Sequence, residues 1–133
     1  AAERALERLC ERAVDRVAFG RPLVDLGANR DVIADSRMAI DQARLLTLKA
    51  AWELDTAGTF GALVSISAIK VVAPNVLQRV VDAAIQIHGG EGIADPELSY
   101  LLGTARALRL ADGPDEVHRA MVARLEVGKY RSR

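Results

Sequence analysis

Hydrophobic residues recur at helical spacing along most of the chain, and polar residues fill the positions between them. This pattern predicts helices at about 1–17, 30–57, 60–88, 97–110 and 114–127. Glycine and proline lie mainly between these segments, where they begin or end helices. The sequence therefore predicts an all-α fold, an up-and-down helical bundle of four to five helices, in a single domain over residues 1–133.

The predicted helix at 60–88 is apolar nearly all round, unlike its neighbours. Such a helix is central in its domain or lies between subunits. Pro74 falls inside it and is expected to bend it, because proline removes one backbone hydrogen bond. Gly58 and Gly128 are expected to end the helices before them, and residues 89–95 to form a loop.

Composition narrows the classes of function. Half of the residues are hydrophobic and only 4% are aromatic, which suits closely packed helices. The 18 Lys and Arg residues balance 18 Asp and Glu residues, so the basic excess of a nucleic-acid-binding protein is missing. Cys10 is the single cysteine, and the two histidines are far apart, so the sequence indicates neither an internal disulfide nor a metal site.

The sequence also bears on where the protein works. No signal-peptide pattern precedes the first predicted helix. The longest apolar run, 62–73, contains Lys70 and is too short to cross a bilayer. We therefore expect a cytoplasmic protein that contacts neither membrane nor nucleic acid. The chain starts without Met and already in a helical pattern, which suggests a piece of a longer protein.

Candidate chemistry concentrates at two junctions, of which the first is the segment 111–119, Ala-Asp-Gly-Pro-Asp-Glu-Val-His-Arg. It places the carboxylate of Asp112 between two predicted helices, and Pro114 fits the first helical position. Asp112 can cap the helix, because Asp is favoured at the positive end of a helix dipole, or it can serve as a base. Residue type and position alone favour the cap.

The second junction is the segment 84–92, which ends the apolar helix in glycines. One glycine suffices to end a helix, so Gly89, Gly90 and Gly92 together suggest the close approach of another group. His88 sits in the last turn of that helix, where a structural role is expected. Near the other end of the chain, Arg16 continues a row of arginines spaced four apart, which by spacing alone is a solvent-exposed row (Arg4, Arg8, Arg12, Arg16).

Three motifs in series resemble the acyl-CoA dehydrogenase family: Arg-x-x-Phe-Gly at 16–20, Gln-Ile-His-Gly-Gly-x-Gly at 86–92, and a carboxylate-glycine turn at 112–113. The resemblance covers essentially the whole chain, but only the C-terminal helical domain of that family. The form Asp-Gly-Pro-Asp-Glu-Val-His at 112–118 is similar to the branch with family members ten and eleven.

The resemblance implies an FAD-dependent oxidation of acyl-CoA to trans-2-enoyl-CoA, with electrons passed on to an electron-transfer flavoprotein. Asp112 matches the catalytic base, which is normally Glu. Gly113 matches the residue beside the substrate thioester. The segment that contains Pro114 and Glu116 matches one that lies against FAD.

The other two motifs match cofactor contacts that cross a subunit boundary. Arg16 matches an arginine that reaches the FAD pyrophosphate of a neighbouring subunit, and Phe19 belongs to the same motif. The segment that contains Gln86, His88, Gly89 and Gly90 matches a loop near the adenosine half of FAD. The family therefore also implies a homodimer or homotetramer.

Departures from the family pattern affect the site more than the fold. Asp112 is one methylene shorter than Glu, about 1.5 Å of reach. Gly27 stands where many members carry a flavin-contacting Gln, Pro114 replaces a Thr, and Gly103-Thr104 replaces an Arg-Asp pair. The family's N-terminal helical and middle β-domains do not match this chain, so we expect the isolated chain to have little activity. A non-catalytic helical assembly module and an acyl-CoA oxidase remain the alternative functions.

Overall fold

The computed structural model describes residues 1–131 and confirms the all-α prediction. The elements follow in this order: α1 (Ala2–Asp15), β1 (Val17–Ala18), β2 (Arg21–Pro22), a 3-10 turn (Leu23–Asp25), α2 (Asn29–His88), α3 (Gly90–Ala94), α4 (Pro96–Leu108) and α5 (Asp115–Arg131).

Helix α2 is folded back on itself at Gly58. This glycine has φ 69° and ψ −178°, which is not helical, so α2 consists of two helical halves. Lys49 Nζ donates to Ser65 Oγ at 2.8 Å. In an unbroken helix these two residues would lie about 24 Å apart, so the halves run antiparallel. The predicted break at Gly58 is confirmed, whereas Pro74 lies within helical backbone of the second half.

The second half of α2 is the centre of the bundle, as its apolar pattern predicts. By length and composition α2 could span a membrane, but here it packs against α1, α4 and α5. The buried core joins three elements and consists mainly of Ala5, Leu6 and Leu9 of α1, Val76, Leu77, Val80, Val81, Ala84 and Ile85 of α2, and Leu98, Leu101 and Ala105 of α4.

The first predicted helix is too long by two residues. Arg16 is extended, with φ −81° and ψ 119°, and the chain turns into a two-stranded antiparallel hairpin. Val17 pairs with Pro22 and is more than half exposed. Strands of two residues are too short to leave a period in the sequence.

Three further boundaries differ from the prediction. The expected loop at 89–95 contains the short helix α3. Helix α5 begins at Asp115, not Pro114, and continues through Gly128. An internal glycine costs about 1 kcal/mol, which does not stop a helix when no turn follows it.

The arginine row of α1 is not simply solvent-exposed as its spacing predicted. Arg4 pairs with Glu97 at 2.8 Å, Arg12 pairs with Glu91 at 2.7 Å, and Arg8 pairs with Asp95. Asp95 also caps α4, because its Oδ1 accepts the backbone N–H groups of Glu97 and Leu98 at 2.9 and 3.0 Å. The backbone hydrogen bond from Leu98 and the nearby guanidinium of Arg8 hold the pKa of the Asp95 carboxyl below its usual range. The three ion pairs fix α1 against the corner between α2 and α4.

Candidate functional site

Asp112 lies in the turn between α4 and α5, with its backbone in the left-handed region. Its φ is 53°, and that of Gly113 is 101°. The Pro114 carbonyl accepts the Val117 N–H at 3.0 Å, so the cap position of α5 belongs to Pro114. Asp112 therefore lies two residues before the cap, and the capping interpretation does not hold for it.

An apolar cavity of about 740 Å³ opens beside Asp112. Both halves of α2 form its walls, and the start of α1 and the end of α4 complete them. Most of the lining side chains are aliphatic, including Ile40, Ile66 and Ile69, while Asp112 supplies a carboxylate and Lys70 an ammonium group. Asp112, which is exposed, thus lies at the edge of an apolar groove.

The turn around Asp112 is tied to the rest of the bundle by polar contacts. Lys70 Nζ donates to the Gly113 carbonyl oxygen. His118 Nε2 lies 3.2 Å from the Asp112 carbonyl oxygen, where it donates when it carries a proton. Pro114 and Glu116 are exposed beside the turn, and Gly113 is partly covered. The turn is thus fixed at its carbonyl groups, while Pro114 and Glu116 face outward.

Asp115 is the buried acid of this region, with 2% of its surface exposed. Its Oδ2 accepts Arg109 Nε at 2.8 Å and Asn75 Nδ2 at 3.0 Å. The hydrogen bond from Asn75 and the pairing with Arg109 lower the pKa of the Asp115 carboxyl, against the opposing effect of burial. This carboxylate anchors the first turn of α5 to α2 and α4.

Sequence reasoning assigned no role to Lys70, and it placed Asp115 only in the segment that resembles one lying against FAD. A lysine that interrupts a run of apolar residues was a usable signal for Lys70, because a lone charge on an apolar face needs a partner. For Asp115 the sequence carries no comparable signal, since an acid in the first turn of a helix is ordinarily exposed.

The Arg-Phe-Gly motif forms the β1–β2 hairpin at the end of α1. Phe19 and Gly20 are its central residues, with φ 51° and 77°, as a two-residue hairpin turn requires. The Phe19 side chain is 96% exposed. The Arg16 side chain is exposed and makes no hydrogen bond or ion pair within residues 1–131. The hairpin thus presents to solvent a guanidinium and an aromatic ring that other side chains of residues 1–131 do not bind.

The glycine motif forms the corner between α2 and α3. Gly89 has φ 66° and donates to the carbonyl groups of Ile85 and Gln86 at 3.0 and 3.2 Å, so it ends α2. A Cβ on Gly92 would lie 2.6 Å from the Ile85 carbonyl oxygen. Two of the three glycines are therefore required by the chain itself, and Gly90, with nothing within 4 Å of a Cβ, is the one that leaves room for another group.

The other two predicted residues of this corner, Gln86 and His88, differ in exposure and in hydrogen bonding. Gln86 is exposed and borders a second cavity, of about 590 Å³. His88 Nδ1 lies 2.7 Å from the Ala84 carbonyl oxygen, so one ring nitrogen bonds its own helix, as the expected structural role requires. His88 also borders a polar cleft with Asp15 and Glu91, so the corner and the end of α1 lie on the same side of the bundle.

The sequence-predicted residues thus form two groups and not one. Arg16 and Phe19 belong to the end of the bundle that carries Gln86, His88, Gly89 and Gly90. Asp112 and Gly113 lie at Lys70, and helix α2 rises by about 27 Å from Lys70 to His88. No group of three or more metal-ligating side chains lies close enough to hold an ion in the described part of the chain.

Comparison with known proteins identifies the domain. The family model for the acyl-CoA dehydrogenase C-terminal domain matches residues 1–126. The Mycobacterium tuberculosis protein named Probable acyl-CoA dehydrogenase FadE2 is 50% identical over 99% of this chain and 33% of its own length. Human acyl-CoA dehydrogenase family member 11 is 49% identical over 95% of this chain and 16% of its own length.

Solved structures agree with these relatives. A Mycobacterium abscessus protein named as an acyl-CoA dehydrogenase superimposes with a TM-score of 0.95 at 62% identity, covering 97% of this chain and 32% of its own. The FAD complex of PigA superimposes with a TM-score of 0.86 at 26% identity, covering 96% and 33%. The present chain spans about a third of these two structures. It belongs to the acyl-CoA dehydrogenase family, as that family's C-terminal helical domain, and is similar to the branch of member 11.

Proposed function

We propose that this chain is part of an FAD-dependent enzyme that oxidises acyl-CoA to trans-2-enoyl-CoA, with Asp112 as the base. The carrying observation is the carboxylate of Asp112 beside an apolar cavity of about 740 Å³. The proton on the α-carbon passes to the Asp112 carboxylate, the β-hydrogen leaves as hydride, and a double bond forms between the two carbons. FAD, when bound, supplies the hydride acceptor, and the family implies an electron-transfer flavoprotein as the next acceptor.

The cavity suits the acyl part of such a substrate. Its aliphatic walls remove an alkyl chain from water, which is favourable by about 25 cal/mol per Å² of apolar surface. Expulsion of water near Asp112 also strengthens a carboxylate as a base toward a carbon-bound proton. Gly113, which follows Asp112 directly, is proposed to lie beside the thioester.

The shorter reach of Asp112 is matched by its unusual backbone. Its φ of 53° directs the chain differently from a helical or extended residue. We infer that this conformation, held by the neighbouring contacts, brings a carboxylate with one methylene fewer to the substrate. Pro114 and Glu116, both exposed beside Asp112, are proposed to contact FAD on the same side.

The second group of residues suits the nucleotide half of FAD. The guanidinium of Arg16 has no partner within residues 1–131, and a planar guanidinium matches a pyrophosphate. Phe19 offers an exposed ring, Gln86 an exposed amide, and Gly90 open space for close approach. His88 and Gly89 shape the corner.

The separation of the two groups supports a shared site between subunits. One chain carries them about 27 Å apart along α2, so the hairpin and glycine corner are proposed to contact the FAD of a neighbouring copy. An exposed apolar stripe at intervals of seven residues on the first half of α2 is a candidate subunit contact (Met38, Leu45, Trp52). A homodimer or homotetramer is therefore proposed, and Leu45→Glu with Trp52→Glu is expected to dissociate it in sedimentation velocity.

The first test uses the full natural polypeptide that contains residues 1–133. Asp112→Asn is expected to retain FAD, measured by flavin absorbance, and to lose turnover of butyryl-, octanoyl- and palmitoyl-CoA by about 10²- to 10⁴-fold. Asp55→Asn, an exposed acid of α2, is the matched control and keeps full turnover. Undiminished turnover in Asp112→Asn contradicts the assignment of Asp112 as the base.

The same preparation separates the alternatives. Reduction of an artificial electron acceptor without hydrogen peroxide supports a dehydrogenase, whereas peroxide formation in air supports an acyl-CoA oxidase. A protein that forms the oligomer and binds no flavin is an assembly module.

A second test addresses the cofactor group. Arg16→Ala is expected to weaken FAD binding at least about tenfold, the equivalent of 1.4 kcal/mol. Arg21→Ala, at the other side of the same hairpin turn, is the control and changes FAD binding less than about twofold. Equal effects of the two variants contradict a specific role for Arg16.

A further inference from the structure

Four side chains, three of them from α2, hold the segment that carries Asp112. Lys70 Nζ donates to the Gly113 carbonyl oxygen, and Asp115 is fixed by Asn75 at 3.0 Å and by Arg109 at 2.8 Å. Arg109 is itself oriented, because its Nη1 donates to Gln78 Oε1 at 3.0 Å. Lys70, Asn75 and Gln78 all belong to the second half of α2, the most deeply packed element of the bundle.

The turn needs such restraints because its backbone is strained. Asp112 has φ 53°, a region that costs most L-residues about 1–2 kcal/mol and costs Asp less than most. Gly113 follows with φ 101°. A strained residue keeps its conformation only when surrounding contacts determine it, and such residues cluster at functional sites.

Lys70 is unusually placed for a role in general stability. It interrupts the apolar wall of the cavity, and within residues 1–131 it pairs with no carboxylate. Its ammonium group instead donates to the backbone carbonyl one residue after Asp112. A lysine that served only solubility would point into water, where its charge is better solvated.

We propose that Lys70 and Asp115 are positioning residues, which hold the Asp112 carboxylate at the distance from the substrate that proton removal requires. Lys70 fixes the peptide that follows the base, and Asp115 fixes the start of α5 three residues later. Together they set the direction of the Asp112 side chain from both the cavity side and the helix side. This inference rests on the proposed function of Asp112 as the base.

The experiment compares Lys70→Met with the unchanged full polypeptide, using octanoyl-CoA. Methionine keeps the length and apolar stem of lysine and removes the donor. We expect kcat to fall about 10- to 100-fold, because a displacement of about 1 Å at the base costs on the order of 10²-fold. The KM for octanoyl-CoA and the FAD content are expected to stay within about threefold, and the kinetic isotope effect with α-deuterated octanoyl-CoA to rise.

A second substitution distinguishes positioning from damage to the fold. Asp112→Glu placed on Lys70→Met lengthens the base by one methylene, about 1.5 Å. If position is what Lys70 provides, the double variant recovers at least about fivefold in kcat. Lys70→Gln, which keeps a shorter donor, is used should Lys70→Met fail to fold, and it is expected to show the same split between kcat and KM.

The matched control is Lys49→Met, because Lys49 lies on the same helix and also bonds across the bundle, to Ser65. Its loss is expected to leave kcat unchanged. An unchanged kcat and isotope effect in Lys70→Met, with Asp112→Asn inactive, overturns the positioning role while the proposed function stands. Full activity in Asp112→Asn overturns the proposed function itself.

The Asp115 half of the proposal is tested with Asp115→Asn, which keeps the shape and removes the charge. We expect kcat to fall at least about fivefold with KM nearly unchanged, together with a lower thermal midpoint. A lower midpoint with unchanged kcat and isotope effect assigns Asp115 to stability alone and overturns its positioning role.

Discussion

The turn that carries Asp112 and the hairpin that carries Phe19 share one backbone device but differ in what surrounds it. In both, a residue with a side chain adopts a positive φ and a glycine with positive φ follows: 53° and 101° in the first, 51° and 77° in the second. The Asp112 turn is tied to α2 and α5 through Lys70 and His118. Phe19 is 96% exposed.

This difference follows from what each region has to do in the proposed reaction. A base must be aimed before the substrate arrives, so its turn is held by contacts within the chain. An aromatic ring and a guanidinium that are to bind a cofactor must be accessible to it. Phe19 and Arg16 accordingly have no partners among residues 1–131. Contacts within the chain thus hold the turn that carries the proposed base, and exposed groups characterise the hairpin that is proposed to bind FAD.

The largest effect is expected where the anchoring is removed. Asp115→Ala leaves the side chains of Arg109 and Asn75 without the acceptor that they share, and the Arg109 guanidinium is charged. We expect the free energy of unfolding to fall by about 3 kcal/mol, the low end for a broken buried ion pair, because Arg109 retains some contact with water. Differential scanning calorimetry of the full polypeptide measures the change. Asp55→Ala is the control, and a loss for Asp115→Ala no greater than that control contradicts the anchoring.

The second prediction concerns the glycine corner, where one glycine is structural and another is not. Gly92→Ala would place a Cβ 2.6 Å from the Ile85 carbonyl oxygen and 2.8 Å from His88 Cβ. We expect a loss of about 2 kcal/mol, as for other overpacked sites. Gly90→Ala meets nothing within 4 Å, so its stability is expected to change by less than about 0.5 kcal/mol.

The same pair of variants separates packing from cofactor binding at this corner. Weaker FAD binding in Gly90→Ala, with the thermal midpoint unchanged, is the expected result if FAD approaches the backbone there. If Gly90→Ala loses as much stability as Gly92→Ala, the distinction between the two glycines is wrong.

The sequence predicts the bundle well because long amphipathic helices leave a clear period. The break at Gly58 and the central position of the second half of α2 both follow from it. The hairpin at Phe19 could not be predicted, because strands of two residues have no period. The extension of α5 through Gly128 was missed because glycine ends helices often but not always.

The site was predictable in part, and the missing part has one physical cause. Asp112, Arg16 and the glycine corner are candidates that come from motifs contiguous in the sequence. Lys70 and Asp115 make contacts with residues about 40 positions away, and the interrupted apolar run at Lys70 is the one local signal that points to either of them. The burial of Asp115 depends on the packing of α5 against α2, so only the folded chain reveals that its carboxylate is an anchor.

The third prediction uses pH to isolate the anchor of the Asp112 turn. Hydrogen bonds from Asn75 and Arg109 lower the pKa of Asp115 in the folded chain below the usual value of 3.8. Its carboxylate therefore stabilises the fold fully above that usual value, and this contribution is lost as the pH falls through the lowered pKa. We expect the thermal midpoint to drop between pH 6 and pH 3 by less in Asp115→Asn than in the unchanged protein.

Comparing Asp115→Asn with the unchanged protein cancels the contribution of the other acids to the drop in the thermal midpoint. Glu3 also has a pKa lowered, to about 2, chiefly by its hydrogen bond to Arg37, and it contributes equally in both. Equal drops in the two proteins would mean that Asp115 does not anchor the turn through its charge.

The smallest change in the free energy of unfolding is expected at the hairpin, and it is an increase, whereas the earlier substitutions are expected to lower stability. Phe19 occupies the left-handed region, which costs a residue with a bulky side chain more than it costs Asn. Asn followed by glycine is the favoured pair in a two-residue hairpin turn. Phe19→Asn is therefore expected to raise the free energy of unfolding by about 0.5–1 kcal/mol and to weaken FAD binding about tenfold. Fluorescence titration with FAD and calorimetry on the same sample measure both, and Val24→Ala, beside the hairpin, is the control. A variant that gains stability and binds FAD as before would show that the strained ring serves no ligand, and the contrast between an anchored turn and an open hairpin would lose its functional meaning.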